Sequence, residues 1–197
     1  IKQLKEYNMS FLFAQQYHKA MKNVGKERKE LGTRTIFNLI GPLANPAPIR
    51  GQLMGIFDGD LVDKIGEVLV KLGIERGLVV HGEDGLDEIT TTSSTKVCEI
   101  CNGKTKVYKI NPEDFGIEKV YIEEISGGTP EENAEIILSI LKGEKGPKRD
   151  IVALNAGAAL FAGKKVDSIN DGFILANALI DSGKAYKKYQ QLKELVI

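Results

Sequence analysis

The sequence predicts an α/β fold, a mixed, mostly parallel sheet flanked by helices. Three observations lead there. Residues 52–57 and 77–81 are short apolar runs bounded by turn residues, and between them lies an amphipathic stretch, 60–72. Strand, helix and strand in that order form a βαβ unit, whose two strands run parallel. Asn102-Gly103 separates two extended-looking runs, 96–101 and 104–110, and is the dipeptide that favours a two-residue hairpin turn. Beyond residue 129 the apolar spacing is helical to the end of the chain.

Taken in chain order, residues 11–31 read as helical from about Gln15, with Tyr17, Met21, Val24 and Arg28 on one face and Gly32 as the stop. Residues 35–40 predict a second short helix that ends at Gly41-Pro42, ahead of the turn residues Asn45, Pro46 and Pro48. The βαβ unit and the hairpin follow, then a loop through Asn111-Pro112 and Asp114–Gly116. Thr129-Pro130-Glu131-Glu132 combines an N-cap threonine, a proline at the first helical position and a capping-box glutamate. Helices are expected over 131–141, 151–161 and 169–182, with a lysine-rich helix at the tail.

Composition narrows the function classes. With 42% apolar and 27% charged residues, the 197-residue chain is long and apolar enough to bury a core. Lys plus Arg equals Asp plus Glu, 27 against 27, so there is no long-range positive field to gather nucleic acid or an anionic membrane. No apolar run approaches the roughly 18–20 residues that span a bilayer, and no secretion-signal pattern opens the chain. A cytoplasmic protein is expected, without nucleic-acid or membrane partners. Cys98 and Cys101 form a lone Cys-x-x-Cys just before the hairpin turn, a setting that suits two ordinary strand thiols better than a redox pair or a zinc site.

Three segments could carry chemistry. In His81–Glu88, which follows a predicted strand, Glu83, Asp84, Asp87 and Glu88 fall within six positions beside Gly82 and Gly85. Hard oxygen donors on a flexible loop suit magnesium, which takes one or two carboxylates and leaves its other positions to water and phosphate. A solvated acidic turn has the same composition. The basic segment with His18, Lys19, Lys22, Lys26, Arg28, Lys29 and Arg34 could clamp a planar carboxylate through an arginine, or simply face water. Ser126-Gly127-Gly128 could cradle phosphate ahead of a helix, although the capping box already accounts for these residues.

The blocks Phe11–Ala14, Tyr17–Met21, Arg28, Leu31-Gly32, Arg34–Asn38, Gly41–Leu43 and Asn45-Pro46 together resemble the anthranilate phosphoribosyltransferases of tryptophan biosynthesis. So do His81-Gly82, Gly85–Glu88, Gly127-Gly128, Pro130–Ala134, Asn155-Ala156 and Ala158–Leu160, in order and across nearly the whole chain. The resemblance implies transfer of the phosphoribosyl group of 5-phosphoribosyl-1-pyrophosphate to anthranilate, with Mg2+. It aligns Arg28 with the arginine that engages the anthranilate carboxylate, and His18 with a histidine lining the anthranilate channel. Gly41 and Pro42 align with the turn beside that pocket, and Asp87 and Glu88 with the metal-holding acidic pair.

The resemblance also implies a remnant of a small helical domain and hinge over 1–46, a glycosyltransferase-type α/β domain over 47–197, and a homodimer at full length. Two family segments, a Gly-Thr-Gly-Gly-Asp phosphate loop and a Lys-His-Gly-Asn stretch, lie upstream of the first residue here. This chain is therefore expected to be a fragment, inactive alone. Two other readings remain open: a pyrimidine nucleoside phosphorylase-like enzyme, and a non-catalytic nucleic-acid-binding relative of the same fold.

Overall fold

A computed structural model of the chain describes residues 2–10, 30, 32, 33, 37–45 and 47–193. The chain divides into two units, residues 1–49 with 191–197, and residues 50–190.

The first unit contains α1 (Lys2–Tyr7) and α2 (Phe37–Leu43). Asn8 closes α1 in the left-handed region at φ 56°, its N–H 3.1 Å from the Leu4 carbonyl. Asparagine tolerates that conformation better than most residues. The sequence expectation that Gly41-Pro42 stops the second helix is corrected. Pro42 lies inside α2, and the Ala44 N–H still reaches the Ile40 carbonyl at 2.8 Å. A proline disfavours helix at the preceding residue partly through that residue's Cβ, which Gly41 lacks. The missing proline N–H then removes a single bond close to the end of a short helix.

In the second unit, β1 (Gly51–Gly55), α3 (Val62–Lys71) and β2 (Arg76–Gly82) form the expected βαβ unit. A 3-10 turn over Gly59–Leu61 leads into α3, with the Asp58 carboxylate accepting from the Asp60 N–H at 2.9 Å. β3 (Thr95–Cys101) and β4 (Lys104–Ile110) pair through a turn in which Asn102 and Gly103 have φ of 49° and 78°. Both positive angles are what the twist-matched hairpin turn requires. The sheet order is β1-β2-β3-β4, with β1 and β2 parallel and the other two pairs antiparallel. The sheet is mixed as expected, but among the described strands parallel pairing is confined to β1-β2. A parallel neighbour needs a crossover element, and the connection from β2 to β3 contains no helix, so β3 returns antiparallel.

The C-terminal half is helical: α4 (Ile122–Ile125), α5 (Pro130–Leu141), α6 (Pro147–Ala162), α7 (Ile169–Asp181) and α8 (Lys184–Lys193). The capping box forms as the sequence indicates, with the Thr129 N–H donating to Glu132 at 2.7 Å and the Glu132 N–H to the Thr129 hydroxyl at 3.3 Å. α6 begins at Pro147, earlier than apolar spacing suggests, because its first turn is polar and proline is favoured there.

Gly77–Val80 of β2 is buried without interruption, because α3 covers one face of the sheet and α6 the other. The core joins Leu78, Val80 and Val97 to Leu154, Ala158 and Phe161 of α6, with Ile89 and Ile169. Each fully buried aliphatic side chain contributes roughly 1.5–3 kcal/mol relative to exposure. Arg149 is 4% exposed and its charge is satisfied by Asn177, the Gly143 carbonyl and Asp181, which ties α6 to α7.

Candidate functional site

The loop that follows β2 leaves the carboxyl end of a buried strand, where open α/β sheets bind ligands. Its path is fixed by backbone hydrogen bonds. The Gly82 N–H donates to Leu86 at 2.9 Å, Gly85 to Gly82 at 2.8 Å and Glu83 to Ser94 at 2.9 Å. Gly85 has φ of 94°, a conformation that side chains resist.

The four carboxylates have different fates. Glu83 is held by Lys109 of β4 and by the Ser94 hydroxyl at 2.7 Å; these partners, Lys109 first, pull its carboxyl below the ordinary value. Asp84 accepts from Thr90 at 2.5 Å, from Thr92, and from the Leu86 N–H at 3.1 Å. Partial burial pushes the Asp84 carboxyl up, but these hydrogen bonds outweigh it and leave the group below its ordinary value. Asp87 and Glu88 are exposed, and neither side chain makes a hydrogen bond or ion pair among the described residues. Partial burial and then the charges of Asp87 and Asp84 raise the Glu88 carboxyl.

Asp84 yields a pH prediction. A carboxyl whose value is lowered by folding stabilises the native state above the ordinary carboxylate range, and that stabilisation is lost as pH falls through the lowered value. The melting temperature of Asp84→Asn should therefore lie furthest below wild type near pH 7, and the gap should narrow progressively as pH falls below the ordinary carboxylate range of about 4. Calorimetry across that range checks it, and a gap that widens in acid would contradict it.

Asp87 and Glu88 sit between two fixed points. A Cβ on Gly55, the last residue of β1, would lie 2.5 Å from the Asp87 carbonyl carbon, so only glycine allows the two backbones to pack this way. On the other side, the Asn155 amide of α6 pairs with both the N–H and the carbonyl of Ile89, at 3.0 and 2.7 Å. Glu88 also borders an apolar cavity of about 540 Å³ lined by Ile122, Ile136, Ile137, Ile151 and Val152.

The model of the glycosyl transferase family, a/b domain, matches residues 1–186. The chain belongs to this family. It is 61% identical to an anthranilate phosphoribosyltransferase of Clostridium beijerinckii over 98% of its own length and 57% of that protein, and 56% identical to one of Thermoanaerobacter over 97% and 56%. Among solved structures, anthranilate phosphoribosyltransferase from Thermus thermophilus superposes with a TM-score of 0.89 at 42% identity, over 96% of this chain and 56% of that one. The Saccharomyces cerevisiae enzyme in complex with PRPP and Mg superposes with a TM-score of 0.80 at 27% identity, over 88% and 50%. The chain thus spans a little over half the length of the curated relatives it matches.

For this glycosyl transferase chain, the expected acceptor-side residues are only partly described. His18 and Arg28, and the helix expected from about Gln15, lie outside the described residues. Gly41 and Pro42 are in the last turn of α2, Gly41 half-buried and Pro42 exposed. In the Ser126–Gly128 loop two of the three backbone donors are already used: the Ser126 N–H by the Ile122 carbonyl at 3.0 Å and the Gly128 N–H by Asn133 at 2.9 Å, whose amide returns to the Gly128 carbonyl at 3.1 Å. Cys98 and Cys101, at odd separation on one strand, point to opposite faces. Cys98 is buried against Gly66 of α3, where burial pushes its thiol up to about 11, and Cys101 is exposed. Neither thiol is placed for redox or metal chemistry.

No group of three or more His, Cys, Asp or Glu side chains among the described residues is placed to hold a metal. Two unpaired carboxylates on one loop do fit the magnesium mode in which substrate phosphates and water supply the remaining ligands. No helix among the described residues is long and apolar enough to cross a membrane. Sequence reasoning missed Gly55, Thr90, Thr92 and Asn155, which hold the acidic loop in place; Thr90 to Thr92 is a visible threonine run, but nothing in it names Asp84 as its partner.

Proposed function

We propose that the chain carries acceptor-side and metal-side residues of an anthranilate phosphoribosyltransferase. Such an enzyme joins anthranilate to 5-phosphoribosyl-1-pyrophosphate, giving N-(5-phosphoribosyl)anthranilate and pyrophosphate in tryptophan biosynthesis. The observation that carries this reading is the division of labour in the acidic loop. Glu83 and Asp84 are consumed by protein partners, while Asp87 and Glu88 remain without one among the described residues. The names of the relatives support it, as do yeast enzyme structures that contain PRPP and Mg, or 4-fluoroanthranilate.

In the reaction the anthranilate nitrogen forms a bond to the ribosyl anomeric carbon, the bond from that carbon to pyrophosphate oxygen breaks with its electron pair, and the amine loses a proton. An aromatic amine is a weak base and gives up that proton readily, so positioning and charge stabilisation dominate. In this reading Arg28 would engage the anthranilate carboxylate, as a planar guanidinium can, His18 would serve the acceptor's approach, and Gly41 and Pro42 would lie beside its pocket. Asp87 and Glu88 would hold Mg2+, which when bound would supply positive charge to offset that of the departing pyrophosphate. The same reading assigns 1–46 to a small helical domain and hinge and 47–197 to the glycosyltransferase domain, in a cytoplasmic enzyme that is a homodimer at native length.

Arg28→Ala in the protein at native length tests the acceptor side. Losing charged hydrogen bonds worth about 2 kcal/mol should raise KM for anthranilate about 30-fold and leave KM for the phosphoribosyl donor unchanged. Loss of anthranilate fluorescence reports turnover directly. An unaltered anthranilate KM overturns the assignment.

A further inference from the structure

We infer that Asn155 is a positioning residue that sets the placement of Asp87 and Glu88 for metal-pyrophosphate binding. The inference rests on the metal-binding role proposed for those two acids. Asn155 is half-buried on α6, distant in sequence from the acidic loop. Its Oδ1 accepts from the Ile89 N–H at 3.0 Å, and its Nδ2 donates to the Ile89 carbonyl at 2.7 Å and to the Ile151 carbonyl at 3.0 Å. Both amide hydrogens are therefore used, and the side chain supplies Ile89 with the donor and acceptor that a neighbouring strand would otherwise give.

Ile89 is the residue after Glu88. Its side chain is 1% exposed and packed in the core, so side chain and backbone are pinned together. The Ile89 nitrogen belongs to the peptide plane that begins at Glu88, so the Asn155 bond fixes the orientation of that plane. Asp87 is fixed independently, its carbonyl packed on the Gly55 backbone. The two exposed acids are thus suspended between two anchors, one on β1 and one on α6. Groups that orient metal ligands from behind typically contribute 10–100-fold to metal affinity.

The test measures Mn2+ binding by electron paramagnetic resonance, in the presence of inorganic pyrophosphate, on the protein at native length. Asn155→Asp keeps the shape but cannot donate to Ile89 and Ile151, and its negative charge would by itself strengthen cation binding. Weakening by this variant therefore isolates positioning. Asn155→Asp and Asn155→Ser should each weaken Mn2+ binding 10–100-fold. Anthranilate affinity should stay within about twofold of wild type. Leu154→Ala, which removes the neighbouring core side chain, should lower thermal stability and leave Mn2+ affinity unchanged. Wild-type Mn2+ affinity in both Asn155 variants, with Asp87→Asn abolishing it, overturns this inference and leaves the metal-binding role standing. Equal weakening in Leu154→Ala also overturns it, by assigning the effect to general softening of α6. Mn2+ binding that survives Asp87→Asn removes the metal-binding role itself.

Discussion

Gly172→Ala is expected to destabilise the protein by about 3 kcal/mol or more, and Gly157→Ala by a similar amount, at the upper end of the range for overpacking. These glycines face each other where α6 crosses α7. A Cβ on Gly172 would lie 2.7 Å from the Gly157 carbonyl carbon, and a Cβ on Gly157 would lie 2.7 Å from the Gly172 carbonyl carbon and 2.8 Å from the Phe173 Cα. The obstructing atoms are backbone, so no rotamer change relieves the clash and the helices themselves must separate. Alanine gains about 1 kcal/mol over glycine in a helix interior, and the clash must exceed that before any loss is seen. We expect it to do so, because separation also opens the packing of Ala153 of α6 against Ala176 and Ile180 of α7. Urea unfolding should show a lower midpoint at an unchanged slope. Gly163→Ala is the control: at the C-cap of α6, with φ of −76° and its nearest contact at 3.3 Å, it should change stability little. A Gly172→Ala protein as stable as wild type would show that the crossing can dilate without cost.

How much of this could be read from the sequence depends on how far apart the interacting residues lie. The βαβ unit, the Asn102-Gly103 turn and the Thr129 capping box are written in adjacent residues, so apolar period and turn chemistry find them. The Gly157–Gly172 crossing, the Gly55–Asp87 approach and the Asn155–Ile89 pairing join residues from separate elements and leave no periodic trace. Pro42 misled for the opposite reason: a strong local stop signal was overridden by the glycine before it. At the site, the concentration of acids after a strand was legible, but which two of the four remain unpaired was not. That choice depends on Lys109 from β4 and on Ser94, Thr90 and Thr92 folding back onto the loop. Only the family resemblance singled out Asp87 and Glu88 from sequence.

In the protein at native length, if the proposed transferase activity holds, Asp87→Asn should lower kcat/KM for the phosphoribosyl donor by 10²–10³-fold, about 2.7–4 kcal/mol of transition-state stabilisation at 1.36 kcal/mol per tenfold. That lies within the several kcal/mol that a metal contributes to a developing oxyanion. The substitution keeps the size of the side chain and removes one of two charges available to the metal. Since Asp87 has no hydrogen-bond or ion-pair partner among the described residues, no structural contact there is lost, and removing its repulsion toward Glu88 favours the fold slightly. Asp84→Asn should do the reverse, costing stability through Thr90 and Thr92 with a smaller effect on turnover at temperatures where it stays folded. Raising Mg2+ should recover part of the Asp87→Asn loss by mass action if weakened metal binding is the cause. Steady-state kinetics against donor and Mg2+, paired with melting curves for both variants, separate the two roles. If Asp87→Asn retained full activity while Asp84→Asn lost it at unchanged stability, the metal-holding role would pass from the exposed pair to the threonine-bound carboxylate.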